Sequence, residues 1–406
     1  MLTVKSCEET RSIIAELAKD IELTTEKVPL ARCLGRVLAE DVIAIENLPP
    51  FNRSTVDGYA VFAADTFGCS ENTPAMLIYM GEVLMGEQPH QELHAGECQY
   101  VPTGGQIPAG ADAMVMIEYS EDFGDEFRYI SKASAPGQHI IFIGDDVRAG
   151  EVVLQTKTYL RAQEIGTLAG LGRSEANVYK KPVVGIISSG DELLELTGKT
   201  TPGGIYDINT YTLLAGVEQI GCTAKSYGIV KDNVEAFKQL VAEALESCDL
   251  LLLSGGSSVG TKDTTSAVIT SFQTSEILLH GIAVKPGKPT IIGKIAGKPI
   301  FGLPGHPVSA YFIFYLFVRP FLFAIQPKNY TEHTVQAILT SSLSSNHGRE
   351  EYVPVALQED ESGMHAIPIM GKSGLITTLT KAQGFITIKR DSEGQTAGDN
   401  VQVTLF

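Results

Sequence analysis

Residues 249–263, DLLLLSGGSSVGTKD, carry an unbroken leucine run straight into glycines, serines, a lysine and an aspartate. Apolar residues without polar alternation read as a strand buried on both faces, the kind a parallel sheet covered by helices contains. The tail invites a phosphate-loop reading, G-x-x-x-x-G-K-[ST], in which backbone amides cradle phosphate and Lys reaches its terminal oxygens. Gly255 and Gly260 have the right spacing, but Thr261 displaces Lys262 by one place and Asp263 stands near where the hydroxyl belongs. The stretch fails as an NTPase loop. It keeps the ingredients for holding an anionic group beside a carboxylate.

Outward from this strand the rhythm repeats. VVGII (183–187) is a second continuous β-branched run, and two amphipathic segments separate the strands. NTYTLLAGVEQIG (209–221) reads as a helix with Asn209 as N-cap and Gly221 at its end, and DNVEAFKQLVAEALESC (232–248) as one with Asp232 and Glu235 placed like a capping box. The pattern predicts a doubly wound α/β domain over about residues 180–325. Ligands bind such domains beyond the carboxyl ends of the strands.

Before it, residues 6–19 have helical spacing, PPFNRSTVDGYAVFAADT (49–66) reads by composition as loop, and short strand-like runs over 76–159 alternate with Gly, Pro and Asp turns. These predict a small β-rich domain inserted into an N-terminal segment. The apolar run VSAYFIFYLFVRPFLFAI (308–325) is cut by Arg319 and Pro320, short of the ~20 residues a membrane span needs, and reads as a buried helix. After Pro327 come six segments read as strands, TVQAILTS, EEYVPVAL, MHAIPIM, LITTLT, FITIKR and NVQVTLF, which fit a small β-barrel or sandwich.

The 406 residues exceed one core, so two to four domains are expected. With 44% hydrophobic and 19% charged residues the chain is neither disordered nor membrane-like. The N-terminus lacks signal-peptide features and the six cysteines are scattered singly, which predicts a cytoplasmic protein. A net charge of −17 disfavours nucleic acid as partner. An anionic small molecule would need a local basic pocket.

Three glycine-rich loops follow the α/β strands: SSGDEL (188–193), SGGSSVGTKD (254–263) and FGLPGHPVSA (301–310). Glycine lets backbone amides approach an anion, and Pro307 and Ser309 suit a first helical turn. Tight turns also need glycine, so each loop alone leaves both readings open. VKPGKPT (284–290) places Lys285 and Lys288 around a Pro-Gly turn, where both ammonium groups could meet one oxyanion, and leads through a hairpin into the third loop. Asp191, Glu192, Asp207 and Asp263 follow the same geography, as solvated loop acids or as oxygen ligands for a divalent cation such as Mg²⁺. No histidine spacing suggests a transition metal.

PPFNRSTVDGYAV, PTGGQIPAGADAMV, ISSGDEL, GIYDIN, SGGSSVGTKD, KPGKPT and GLPGHPVSA, in this order, resemble the molybdopterin molybdenumtransferase family, MoeA and the E domain of gephyrin. The likeness runs over nearly the whole chain. It implies an elongated homodimer of four domains: a discontinuous N-terminal domain (1–48 and 147–179), an inserted β-rich domain (49–146), the molybdopterin-binding α/β domain (180–326) and a C-terminal β-barrel (327–406). It further implies that molybdate is inserted into adenylylated molybdopterin while the adenylate is hydrolysed with Mg²⁺ and AMP leaves. Ser189, Gly190, Gly255, Gly256, Ser257, Ser258, Gly287, Pro304, Gly305 and Pro307 would cradle the substrate. Lys285, Lys288 and Ser309 would hold the oxyanion, and Asp263 and Glu192 the metal or a water. Asp57, Thr103 and Asp146 also match functional positions and would reach the partner's cleft; Arg349 and, more weakly, Ser373 match barrel residues facing the site. The departures are His306 for Asn, Gly105 for Ala, Ser257 for Val and Pro354 for Arg. A gephyrin-like scaffold and a molybdopterin adenylyltransferase are the alternatives, and the adenylyltransferase that supplies substrate is an implied partner.

Overall fold

A computed structural model of the chain describes residues 4–197, 202–256, 264–328 and 331–406. They form two compact units, one of residues 1–27, 35–37 and 177–406, the other of residues 28–34 and 38–176.

The first unit is built on a six-stranded sheet. Its strands are β1 (Val183–Ser189), β2 (Thr223–Val230), β3 (Leu250–Ser254), β4 (Ser275–His280), β6 (Ile291–Ile295) and β7 (Lys298–Leu303); the two-residue β5 (Val284–Lys285) lies outside it. The order is β2-β1-β3-β7-β6-β4, parallel through β7 and antiparallel over β6 and β4. The leucine run forms the middle of it, with every residue of β3 buried. Leu250 and Leu252 join one core with helices Cys7–Lys19 and Asn209–Gln219, whereas Leu251 and Leu253 join the other with helices Val234–Ser247 and Thr264–Thr270. Each such leucine contributes roughly 1.5–3 kcal/mol relative to exposure. Period-2 side-chain direction thus turns a run without alternation into the wall between two apolar layers.

Both helix starts differ from the sequence expectation. Asn209 is the first helical residue and not the cap; Asp207 accepts the Thr210 N–H instead (3.1 Å), and the Asn209 side chain turns inward. The second helix is capped by Asn233, which accepts from Ala236 N–H (3.0 Å), one residue after the expected Asp232. The apolar run continues past Pro320 as one 19-residue helical stretch, Pro307–Ile325, 72% buried inside the unit. It passes by way of a π-helical turn, Phe314–Val318, directly before Arg319-Pro320. A wider turn is the usual accommodation for a residue that lacks an N–H and crowds the preceding carbonyl.

The C-terminal part closes a barrel from β8 (Thr334–Leu339), β9 (Glu350–Asp360), β10 (Gly363–Pro368), β11 (Gly384–Ile388) and β12 (Asn400–Leu405). The order β9-β10-β8-β12-β11 returns to β9 through the β9–β11 pairing. Five of the six expected segments are these strands. LITTLT instead contains the short helix Thr377–Thr380, because its threonines and leucine wind into a turn whose Thr378 is buried against the barrel edge. β5 pairs in parallel with β9, Val284 opposite Glu350 and Lys285 opposite Glu351.

The second unit holds a six-stranded sheet ordered Ala113–Met116, Gly58–Val61, Glu97–Val101, Ala75–Glu82, Phe127–Ile130, Ser120–Glu121. Gly58–Val61, expected as loop, is a fully buried strand paired on both sides. Its neighbours are short and glycine-flanked, which hid the strand among turn residues.

Candidate functional site

The carboxyl ends of β1, β3 and β7 open into a cleft of about 1360 Å³ whose opposite wall is the barrel edge. β1 and β3 are the adjacent strands from which the chain winds in opposite directions, the switch point where open α/β sheets bind ligands.

The first two loops meet at backbone distance. Gly255 has φ +95°, and a Cβ there would stand 2.1 Å from the Ser189 carbonyl oxygen; at Gly256 (φ +66°) it would meet Ser189 Oγ at 2.9 Å. Only glycine allows this approach. Thr265 Oγ1 donates to the Gly255 carbonyl (3.0 Å), and Asn209 Nδ2 donates to Ser254 Oγ (2.7 Å) and to the Gly305 carbonyl (2.8 Å). One buried amide therefore ties the second loop to the third. Ser189 Oγ and Asn209 Oδ1 are buried in the cleft wall without a hydrogen-bond partner among the described residues. Buried polar atoms ordinarily have one, so both are ready to meet a polar ligand or water.

The cationic side comes from the β5 loop. Lys285 Nζ lies 2.7 Å from Glu351 Oε1, and the other Glu351 oxygen accepts from Ser345 Oγ (2.7 Å). Lys288 is exposed and has no carboxylate partner among the described residues. Arg349, just before β9, and Glu351, its second residue, both line the cleft. At the third loop, Pro307 begins the core helix, Val308 N–H donates to the Ser373 carbonyl (3.0 Å), and His306 Nδ1 lies 2.8 Å from Ser373 Oγ. Behind the wall, the buried Tyr352 hydroxyl donates to Glu350 (2.7 Å) and accepts from Arg11 (3.3 Å). Burial, with Cys7 and Glu350 adding to it, pushes this phenol up, and burial pushes the neighbouring Cys7 thiol up to about 12. Both are neutral spacers at physiological pH.

Of the sequence candidates in this unit, Ser189, Gly190, Glu192, Gly255, Gly256, Lys285, Gly287, Lys288, Pro304, Gly305, Pro307, Ser309, Arg349 and Ser373 all line the one cleft. Ser257, Ser258 and Asp263 lie outside the described residues. Asp207 is buried as a helix cap, not a solvated acid. Pro354 is buried in β9 and also lines the cleft, so an uncharged ring stands at that position. Glu351 and Asn209 were missed. Glu351 is the second residue of β9, and Arg349, already a candidate, lies just before that strand.

The remaining three candidates belong to the second unit. Asp57 Oδ1 accepts the Thr103 N–H at 2.7 Å, at the ends of paired strands where Gly58 faces Val101. Asp146 lies in a turn laced to residues 48–52 by Asp146 N–H to Leu48 carbonyl (3.0 Å) and Ile143 N–H to Asn52 Oδ1 (2.8 Å). All three side chains are exposed. At Gly105, a Cβ would press on Val101 Cγ1 (2.8 Å) and the Pro102 carbonyl oxygen (2.9 Å), so this turn is packed for glycine.

For a divalent cation, no three His, Cys, Asp or Glu side chains converge among the described residues. Glu192 is a hard oxygen donor in the cleft wall, which suits Mg²⁺ carried by one or two carboxylates and substrate phosphates.

Comparison with known proteins gives the family. Residues 5–172 match the family model described as MoeA N-terminal region (domain I and II), 185–324 the probable molybdopterin binding domain, and 336–406 the MoeA C-terminal region (domain IV). The molybdopterin molybdenumtransferase of Bacillus subtilis is 33% identical, covering 94% of this chain and 90% of its own, and that of Haemophilus influenzae 32%, covering 94% of each. Two crystal structures of MoeA proteins from Pyrococcus horikoshii superpose with TM-scores of 0.86 and 0.82 at 35% and 34% identity, over at least 99% of both chains. A chain with this sheet order, this closed barrel and this cleft, matched from end to end, belongs to the MoeA family of molybdopterin biosynthesis proteins.

Proposed function

We propose that the protein is a molybdopterin molybdenumtransferase that takes adenylylated molybdopterin and molybdate into this cleft. The observation that carries the reading is the conjunction, in one cleft, of two loop lysines, a glycine cradle and two buried polar atoms without a partner among the described residues. In an acidic chain, such a pocket is a specific attraction for an anion. The Ser189, Gly255 and Gly256 backbone accommodates the substrate's phosphates; Lys285, Lys288, Ser309, Arg349 and Ser373 hold the oxyanion. Water adds across the phosphoanhydride, which leaves a phosphate monoester on the pterin and releases AMP, and the two thiols of the dithiolene bond molybdenum in place of one oxo group of molybdate, which leaves as water with the two thiol protons. Mg²⁺, held by Glu192 and Asp263, would neutralise the phosphate charge during this hydrolysis. Asp57, Thr103 and Asp146 serve the partner's cleft in a homodimer. The reaction belongs in the cytoplasm, downstream of the adenylyltransferase that supplies its substrate.

The test is AMP release from adenylylated molybdopterin with Mg²⁺ and molybdate. Lys285→Ala combined with Lys288→Ala is expected to lower it by about a hundredfold or more, the usual loss when charge stabilisation of an anion is removed, with an unchanged circular dichroism spectrum. Undiminished release would overturn the assignment.

A further inference from the structure

Ser373 is held twice at the start of the core helix. Its carbonyl accepts the Val308 N–H at 3.0 Å, which fixes the backbone, and its Oγ lies 2.8 Å from His306 Nδ1. With the heavy atoms fixed, what remains free is the hydrogen between them. A hydroxyl has one proton to give and two lone pairs. If His306 Nδ1 is bare, it takes that proton, and Ser373 then turns only lone pairs toward an anion. If Nδ1 carries a hydrogen, Ser373 accepts from the ring and its own O–H is released toward the cleft.

We infer that His306 is a positioning residue that decides whether Ser373 can donate to an oxyanion, and that oxyanion capture by this chain is therefore acid-favoured. This rests on the oxyanion reading of the cleft. An anion beside Ser373 selects the ring with hydrogen on Nδ1, most readily the imidazolium, so binding takes up protons, and the reciprocal effect is tighter binding when protons are abundant. The other charged groups around the cleft are Lys372 on the same loop, Lys285 at the end of β5 and Lys288 after it, Arg349 and Glu351 at the start of β9, and Glu192, Asp207 and Asp232 beyond the sheet. None of these is an imidazole, the side chain whose charge changes between pH 5 and 8. Asparagine at 306 would offer an N–H donor at every pH, and it is a good helix cap.

The experiment is calorimetric titration of the full chain with molybdate from about pH 5.5 to 8.5, in buffers of differing ionisation enthalpy. Wild type is expected to bind roughly tenfold more weakly or worse at the alkaline end, the yield of one hydrogen bond to a charged group, with measurable proton uptake. His306→Asn should lose that part of the slope and the uptake, and Ser373→Ala should bind more weakly and lose it too. Equal slopes and uptake in wild type and His306→Asn would overturn the inference while leaving the oxyanion site standing. Absence of molybdate binding by wild type at every pH would overturn the oxyanion reading, and this inference with it.

Discussion

The pair Lys285–Glu351 sets a conflict at the residue scale. The carboxylate, 2.7 Å from the ammonium, keeps that side chain aimed from β5 along the barrel edge, and Ser345 holds the carboxylate in turn. The same charge repels any oxyanion that approaches Lys285. A like charge one side chain away, at an effective dielectric near 20, costs on the order of 1–3 kcal/mol. Glu351→Gln keeps the shape and an acceptor for Lys285 but removes the charge, so molybdate should bind roughly tenfold tighter. Turnover should fall, because an oxyanion held too firmly is transferred less readily. Titration calorimetry beside AMP release checks both, and equal or weaker binding by the variant would show that Glu351 does not oppose the anion. The double role explains why Glu351 was not chosen from sequence: beside Arg349 it reads as one more surface acid, and only the register of β5 on β9 shows which lysine it meets.

At the scale of elements, the signals that survived were those physics makes redundant. β1 and β3 were legible because burial on both faces demands continuous apolar residues, and the second glycine loop because close backbone approach at Gly255 excludes every other side chain. Helix starts were less legible. Several polar residues precede each helix, and tertiary contacts choose among them: Asn209 is drawn inward by Ser254 and Gly305, which leaves the capping to Asp207. The helix Ala162–Gly170 shows what a satisfied start provides. Glu164 accepts from Arg161 N–H (2.9 Å) and from its Nε (3.1 Å), and the Arg161 hydrogen bonds hold the carboxyl down at about 2, against an ordinary value of 4.5. A folded-state value below the unfolded one contributes stability above about pH 4.5 that is lost as pH falls toward 2. Glu164→Gln should therefore lower Tm at pH 7, and its deficit should shrink on acidification until the two proteins melt together near pH 2. Thermal unfolding across that range measures it. Glu9, Asp125 and Asp360 are also held low, but they are common to both proteins and cancel in the difference. A deficit independent of pH would assign Glu164 a packing role alone.

For the whole molecule, the motifs after residue 180 line the cleft of the first unit, and the first-half motifs belong to the second unit. The linear order of motifs marked them as candidates but carried no information on which subunit they would serve, since sequence distance says nothing about symmetry. Asp57 and Thr103 nonetheless form a built feature, an exposed carboxylate fixed by a backbone N–H at 2.7 Å. If these residues act in the cleft of a two-fold partner, the two halves of a site can be inactivated on different chains. Asp57→Ala and Lys285→Ala proteins should each be inactive in AMP release. Mixed so that subunits exchange, they form heterodimers in which one cleft has Lys285 from its own chain and Asp57 from the partner, both intact, while the other cleft has neither. Random exchange yields heterodimers in half of the population and one working cleft in each, so the mixture should recover about a quarter of wild-type activity. Were Asp57 to serve the cleft of its own chain, every cleft in every species would lack one residue or the other, and mixing would restore nothing. The measurement separates the two arrangements by the presence or absence of a signal, provided that exchange is verified by mass spectrometry of differently tagged chains.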